Sequence, residues 1–141
     1  MGYTHYWRQS EDFTDDQWSA ICKDTRKILT YCRKQGIAIQ YECDDTRIRS
    51  CVTKSEIHFN GAGSDGCETF YIQFGNPRDF NFCKTERRPY DLAVCLCLLR
   101  ISHHCSAFSI SSDGKWDTET EWGYVRETYA KIFKEQPPKF Q

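Results

Sequence analysis

The chain has 141 residues, 39% of them apolar and 15% aromatic, enough for one independently folded domain with a ring-rich core. Nineteen basic and twenty acidic residues give a net charge of −1, which excludes a protein whose whole surface is a nucleic-acid platform but leaves room for a local basic patch. No apolar stretch approaches the ~18 residues that span a bilayer, so a soluble, cytoplasmic protein with no membrane partner is expected.

A first strand is predicted at "YTHYW", where Tyr3, His5 and Trp7 alternate. The helix after it has a full start signal, with Thr14 as N-cap, Gln17 completing a capping box, and Phe13 with Trp18 as a hydrophobic staple. Its buried face is predicted to be Trp18, Ile21, Cys22, Thr25, Ile28, Leu29 and Cys32, and Gly36 ends it. The opposite face carries Lys23, Arg26, Lys27, Arg33 and Lys34, read as a solvated surface, so nucleic acid is not an expected partner.

"IAIQYE" reads as a strand and "TRIRSCVT" as another strand or an irregular edge. "SEIHFN" and "ETFYIQF" alternate, and "FNFC" adds a short strand. Pro89 is placed to open a second helix, whose interior "LAVCLCLLRIS" is apolar nearly all round and therefore central. "AFSISS" is a further strand, and a last helix starts at Thr118 with Glu121 as its capping-box partner. The expected fold is α+β, a mostly antiparallel sheet with a central buried helix and two flanking helices, in the order β-α-β-β-β-α-β-α. One domain covers residues 1–136, with a short tail over 137–141.

Between two of these strands, Gly61, Gly63 and Gly66 spell a dinucleotide-binding loop. That fingerprint needs a helix after it to hold the pyrophosphate, and "ETFYIQF" has the period of a strand, so a hairpin connection is predicted instead. Nine cysteines, an odd number without a Cys-x-x-Cys pair, indicate reduced, mostly buried thiols. Neither a disulfide framework, nor a bound metal, nor a cofactor is expected.

Chemistry is suggested by "FNFCKTERRPYD". Lys84, Arg87 and Arg88 gather at the start of the central helix, where the helix dipole disfavours cations. A bound anion reverses the sign, held by the arginine forks, Lys84 and the Thr85 hydroxyl, whereas the plainer alternative is neutralisation by Glu86 and Asp91. Tyr3, His5, Tyr6 and Trp7 are placed against the base or sugar of such a ligand, and His58, Asn60, Ser112 and Asp113 complete the candidate ligand set.

"MGYTHYW", "FNGAGSDGCETF", "FCKTERRPYD" and "SSDG…EW" together resemble an uncharacterised family of small phage and bacterial proteins. The resemblance implies a viral or mobile-element setting, by analogy host takeover or counter-defence, and supplies no catalytic residues. The favoured expectation is a binder that sequesters an anionic, nucleotide-like small molecule, and symmetric assembly into a homo-oligomer is compatible with it. The alternatives are a phosphoester- or nucleotide-processing enzyme with His5 or His58 as base and Arg87 or Arg88 stabilising charge, and a virion component or host-protein-binding factor.

Overall fold

The computed structural model describes residues 2–75 and 80–140. The protein is α+β, and the described residues form three α-helices and two small antiparallel three-stranded sheets where the sequence suggested one. Strand β1 (Thr4–Gln9) is the middle of the first sheet, between β5 (Asn81–Lys84) and β6 (Phe108–Ser112). Strand β3 (Glu56–Gly61) is the middle of the second, between β2 (Ile39–Gln40) and β4 (Phe70–Gln73). The stretch 46–53 forms no strand, and only Val52 bridges to Ile57.

Helix α1 (Asp15–Lys34) starts as its sequence dictates. The Thr14 side chain accepts from the Gln17 amide, the Gln17 side chain accepts from the Thr14 amide, and the Phe13 and Trp18 rings close at 5.5 Å. Its seven predicted face residues are all buried, and Gly36 takes the left-handed conformation past its end (φ +85°).

Helix α2 (Asp91–His104) lies at the centre, with Leu92–Leu99 and Ile101 all buried. Pro89 sits outside it and Tyr90 is the N-cap, so the proline precedes the helix rather than opening it. Helices α1 and α2 are cross-braced by Asp24, whose Oδ2 accepts from Arg100 Nε and pairs with His104 Nε2, both at 2.6 Å. Burial pushes the Asp24 carboxyl up, but the hydrogen bonds from His104 and Arg100 outweigh it and hold the group below the ordinary carboxylate range. A depressed folded-state value gives stability that is present above about pH 4 and lost as the pH falls through it. Asp24→Asn should therefore flatten the acid-side fall in stability, measured as urea midpoints at neutral and acid pH. An unchanged slope would show that the brace contributes nothing.

The last helix departs from its sequence signal. Thr118 makes no capping hydrogen bond, Glu119–Gly123 winds as a π-turn broken at Glu121, and α3 (Tyr124–Phe133) begins only after it. The cause is the Glu121 side chain, which leaves the capping position to accept from the Lys115 amide and from Arg87, both at 2.8 Å. Beyond α3 the tail folds back, and Phe140 packs edge-on against Trp122 (4.6 Å) and Trp116 (5.1 Å).

The two sheets meet through Trp7 of β1 against Phe70 of β4, at 5.4 Å. The hairpin reading of the glycine loop holds, since β3 and β4 pair antiparallel around a single 3-10 turn, Gly63–Asp65. A Cβ on Gly61 would lie 2.3 Å from the Asp65 carbonyl oxygen, and one on Gly66 would lie 2.6 Å from that of Gly61. The amides of Gly61, Gly63, Asp65, Gly66 and Cys67 are spent on Asn60, Cys43 and the loop itself, so the loop is closed on its own backbone.

Candidate functional site

The pairing of β1 with β5 and β6 brings residues far apart in sequence to one place. His5 lies opposite Cys83 on one side and Ser112 on the other. Its ring is wholly buried, with Tyr3 (5.1 Å) and Trp122 (5.4 Å) both edge-on to it. His5 Nδ1 is 2.7 Å from Ser112 Oγ, and Nε2 is 2.6 Å from Asp91 Oδ1 at the first turn of α2.

Donor counting fixes the direction of this chain. Ser112 Oγ accepts from the Gly114 amide and from Trp122 Nε1, both at 2.9 Å, which uses both of its lone pairs. Its hydroxyl proton therefore goes to His5 Nδ1, and the imidazole proton sits on Nε2 and is donated to Asp91. Asp91 Oδ1 also accepts from Thr85 Oγ1 at 2.5 Å, and Oδ2 from the Cys95 thiol at 3.6 Å. Burial foremost, then the negative Asp91, push the Cys95 thiol well up, so it stays a donor and not a nucleophile.

His5, Asp91 and Cys95 offer ligand atoms within 4.8 Å of one another, a spacing that a metal ion could bridge. The hydrogen bonds speak against it. A metal on Nε2 would move the proton to Nδ1, and Ser112 Oγ would then face three donors with two lone pairs.

Asp91 is the member of this network that reaches a cleft of about 350 Å³. Arg87, Arg88, Tyr3, Glu121, Tyr124 and Leu92 line the cleft with it, joined by Pro89, Thr120 and Val125. The Arg87 guanidinium lies 3.9 Å above the Tyr3 ring and bonds Glu121. The Lys115 amide, and then Arg87, hold the Glu121 carboxyl below its ordinary range. Burial first, then the neighbouring Cys95, Asp91 and Glu121 groups, raise the Tyr3 hydroxyl, which keeps it a donor. Gly114 makes room for it, since a Cβ there would sit 2.0 Å from the Tyr3 hydroxyl oxygen. Arg88 forms no ion pair among the described residues, and its exposed side chain faces the cleft as an uncommitted fork.

Two consecutive non-glycine residues at the cleft mouth, Glu86 (φ 55°) and Arg87 (φ 60°), are left-handed. Each such residue costs about 1 kcal/mol or more, and such conformations gather at ligand sites. Glu86→Gly should raise stability by about 0.5 kcal/mol, because glycine relieves the strain but has a more mobile unfolded chain. A thermal melt checks this, and a loss of stability would mean that the Glu86 side chain holds the turn.

The predicted site residues divide. Tyr3, His5, Arg87, Arg88 and Ser112 come together at or beneath the cleft. Lys84 does not join them, because it pairs with Glu86 at 3.3 Å beside Gly2. The fully buried Thr85 hydroxyl is spent on Asp91 rather than facing an anion. Trp7 is core, stacked on Phe108 and tilted against Phe70, where no base can reach it. Tyr6 points to the other face of β1, stacked on Phe80, and its hydroxyl bonds Asp113. Asp113 also accepts from the Thr4 amide, so it clamps β1 to β6. His58 belongs to the second sheet, stacked on Tyr41 at 3.7 Å and paired with Glu42, and buried Asn60 braces the glycine loop. Tyr90 is also buried, and its hydroxyl is spent on the Glu68 carbonyl.

Asp91, Cys95, Glu121 and Trp122 are the positions of this candidate site that the sequence did not single out as ligands. Only the Asp91–Cys95 spacing of one helical turn, in an otherwise apolar helix, hints at one of the contacts. Compared with known proteins, the chain matches no family model, no curated protein and no solved structure. No helix among the described residues is long and apolar enough to cross a membrane.

Proposed function

We propose that the protein binds a small phosphorylated, nucleotide-like molecule in the cleft above Asp91 and holds it without turnover. The observation that carries this reading is Arg88, a guanidinium without an acidic partner among the described residues, beside the Arg87–Tyr3 stack at a concavity of ligand size. Phosphate oxygens would take the Arg88 fork and compete with Glu121 for Arg87. Asp91 offers a carboxylate oxygen to an N–H edge, and Leu92, Val125 and Tyr124 give apolar surface for a ring or sugar.

Thermal melts with a panel of nucleoside mono-, di- and triphosphates and cyclic nucleotides test the proposal. A ligand at a hundredfold excess over Kd stabilises by about 2.7 kcal/mol, and Arg88→Ala should abolish the shift without altering the unliganded melt. No shift with any member at millimolar concentration would count decisively against it. A role in sequestering a host signal, in the phage setting that the sequence resemblance suggests, rests on this binding.

The relay Ser112–His5–Asp91 favours turnover on its face, since hydroxyl, imidazole and carboxylate follow the order of a nucleophile–base–acid set. Yet both Ser112 lone pairs are engaged, His5 is fully buried, and neither lines the cleft. The relay is therefore read as the support that aims Asp91. Mass spectrometry after incubation separates the two readings, because a binder returns its ligand unchanged.

A further inference from the structure

A second surface, away from the cleft, is built on the solvated side of α1. Two grooves run along it and share Arg26 and Thr30 as a common wall. The first, of about 290 Å³, has Arg33 and Arg49 on its other side, and the second, of about 500 Å³, is closed by Lys27, Lys34 and Lys131 of α3. Among the described residues no carboxylate lines either groove. Among these six cations only Arg49 has an ion pair in the described residues, with Asp45 at 3.6 Å. Elsewhere Arg47, Lys84, Arg87, Arg100 and Arg126 each hold a carboxylate. A chain with more acidic than basic residues thus leaves one face of concentrated, unneutralised positive charge.

We infer that this face docks the phosphodiester backbone of a nucleic acid, without reading its sequence. The cations recur at helical spacing, and the eight steps from Arg26 to Lys34 rise about 12 Å along the axis, the length over which one strand presents about four phosphates. Arginine and lysine on two sides of a ridge suit a strand followed through its phosphates rather than its base edges.

Fluorescence anisotropy with a labelled single strand, its duplex and the RNA of the same sequence tests this between about 50 and 200 mM salt. Binding to at least one of them is expected, with log K falling against log salt at a slope of about −3. Arg26→Glu with Lys34→Glu should weaken binding at least tenfold while the melt is unchanged, and Arg88→Ala should leave it intact. Three results would each overturn the inference. These are no binding at low salt, binding that ignores the charge reversal, and capture by phosphatidylserine vesicles without oligonucleotide binding. Because Arg88 lies outside this face, failure here leaves the cleft reading standing, and failure of the cleft leaves this one standing.

Discussion

Asp91→Ala is expected to lower the stability of the protein by about 4 kcal/mol, because it removes one acceptor from three donors at once. The His5 Nε2–H, the Thr85 hydroxyl and the Cys95 thiol all end on its carboxylate, and His5 and Thr85 are fully buried. A stranded buried donor costs about 1–3 kcal/mol, so the sum takes a large share of the 5–15 kcal/mol of an ordinary domain. In urea the midpoint should move down by roughly 2 M. Asp91→Asn keeps one oxygen for His5 and Thr85 and turns an amide N–H2 toward the Cys95 sulfur, so about half the loss is expected. If Asp91→Ala melts within about 1 kcal/mol of the native chain, the network does not hold the fold in the way described.

Trp122→Ala is the other large effect. The indole is fully buried, touches His5, Trp116 and Phe140, and donates to Ser112. Truncating such a ring costs about 3–5 kcal/mol through lost burial and the cavity left behind. Trp122→Phe separates packing from hydrogen bonding. It keeps a ring but frees one Ser112 lone pair, which then can accept from His5 Nδ1–H. Nitrogen-15 NMR should show the Nε2–H tautomer in the native protein and a mixture in the phenylalanine variant. A native ring protonated on Nδ1 would contradict the donor count and reopen His5, Asp91 and Cys95 as a metal site.

What was legible in the sequence was local. The Thr14–Gln17 box, the Phe13–Trp18 staple, the buried face of α1 and the glycine hairpin need only neighbours a few residues away, and all stand in the structure. The cleft was half legible. Cations ahead of α2 marked the place, but part of their charge is answered by Asp91 at the helix start and by Glu121 across the cleft. Glu121 lies 34 residues from Arg87 along the chain, a distance that no spacing rule bridges. The same long range hid the partner of Thr85 and the relay from Ser112 to Asp91. Two of the failures have separate causes. Alternation places Trp7 and His5 on one face of β1 without telling that this face is the core. At Thr118 the capping signal lost to the Lys115 amide, which claims the Glu121 carboxylate first.

Structure and chemistry meet at Arg87 and Arg88, where the hydrogen-bonded network of His5, Asp91 and Thr85 sits under two guanidinium groups, one of them tied to Glu121.

The most direct measurement follows the arginine Nε–H signals by NMR while a nucleoside triphosphate is titrated in. The expected result is saturable movement of the Arg87 and Arg88 signals, with Arg126 unmoved and the Arg87 change lost in Arg88→Ala. Signals at Arg87 and Arg88 that stay fixed at millimolar ligand would contradict the cleft as an anion site.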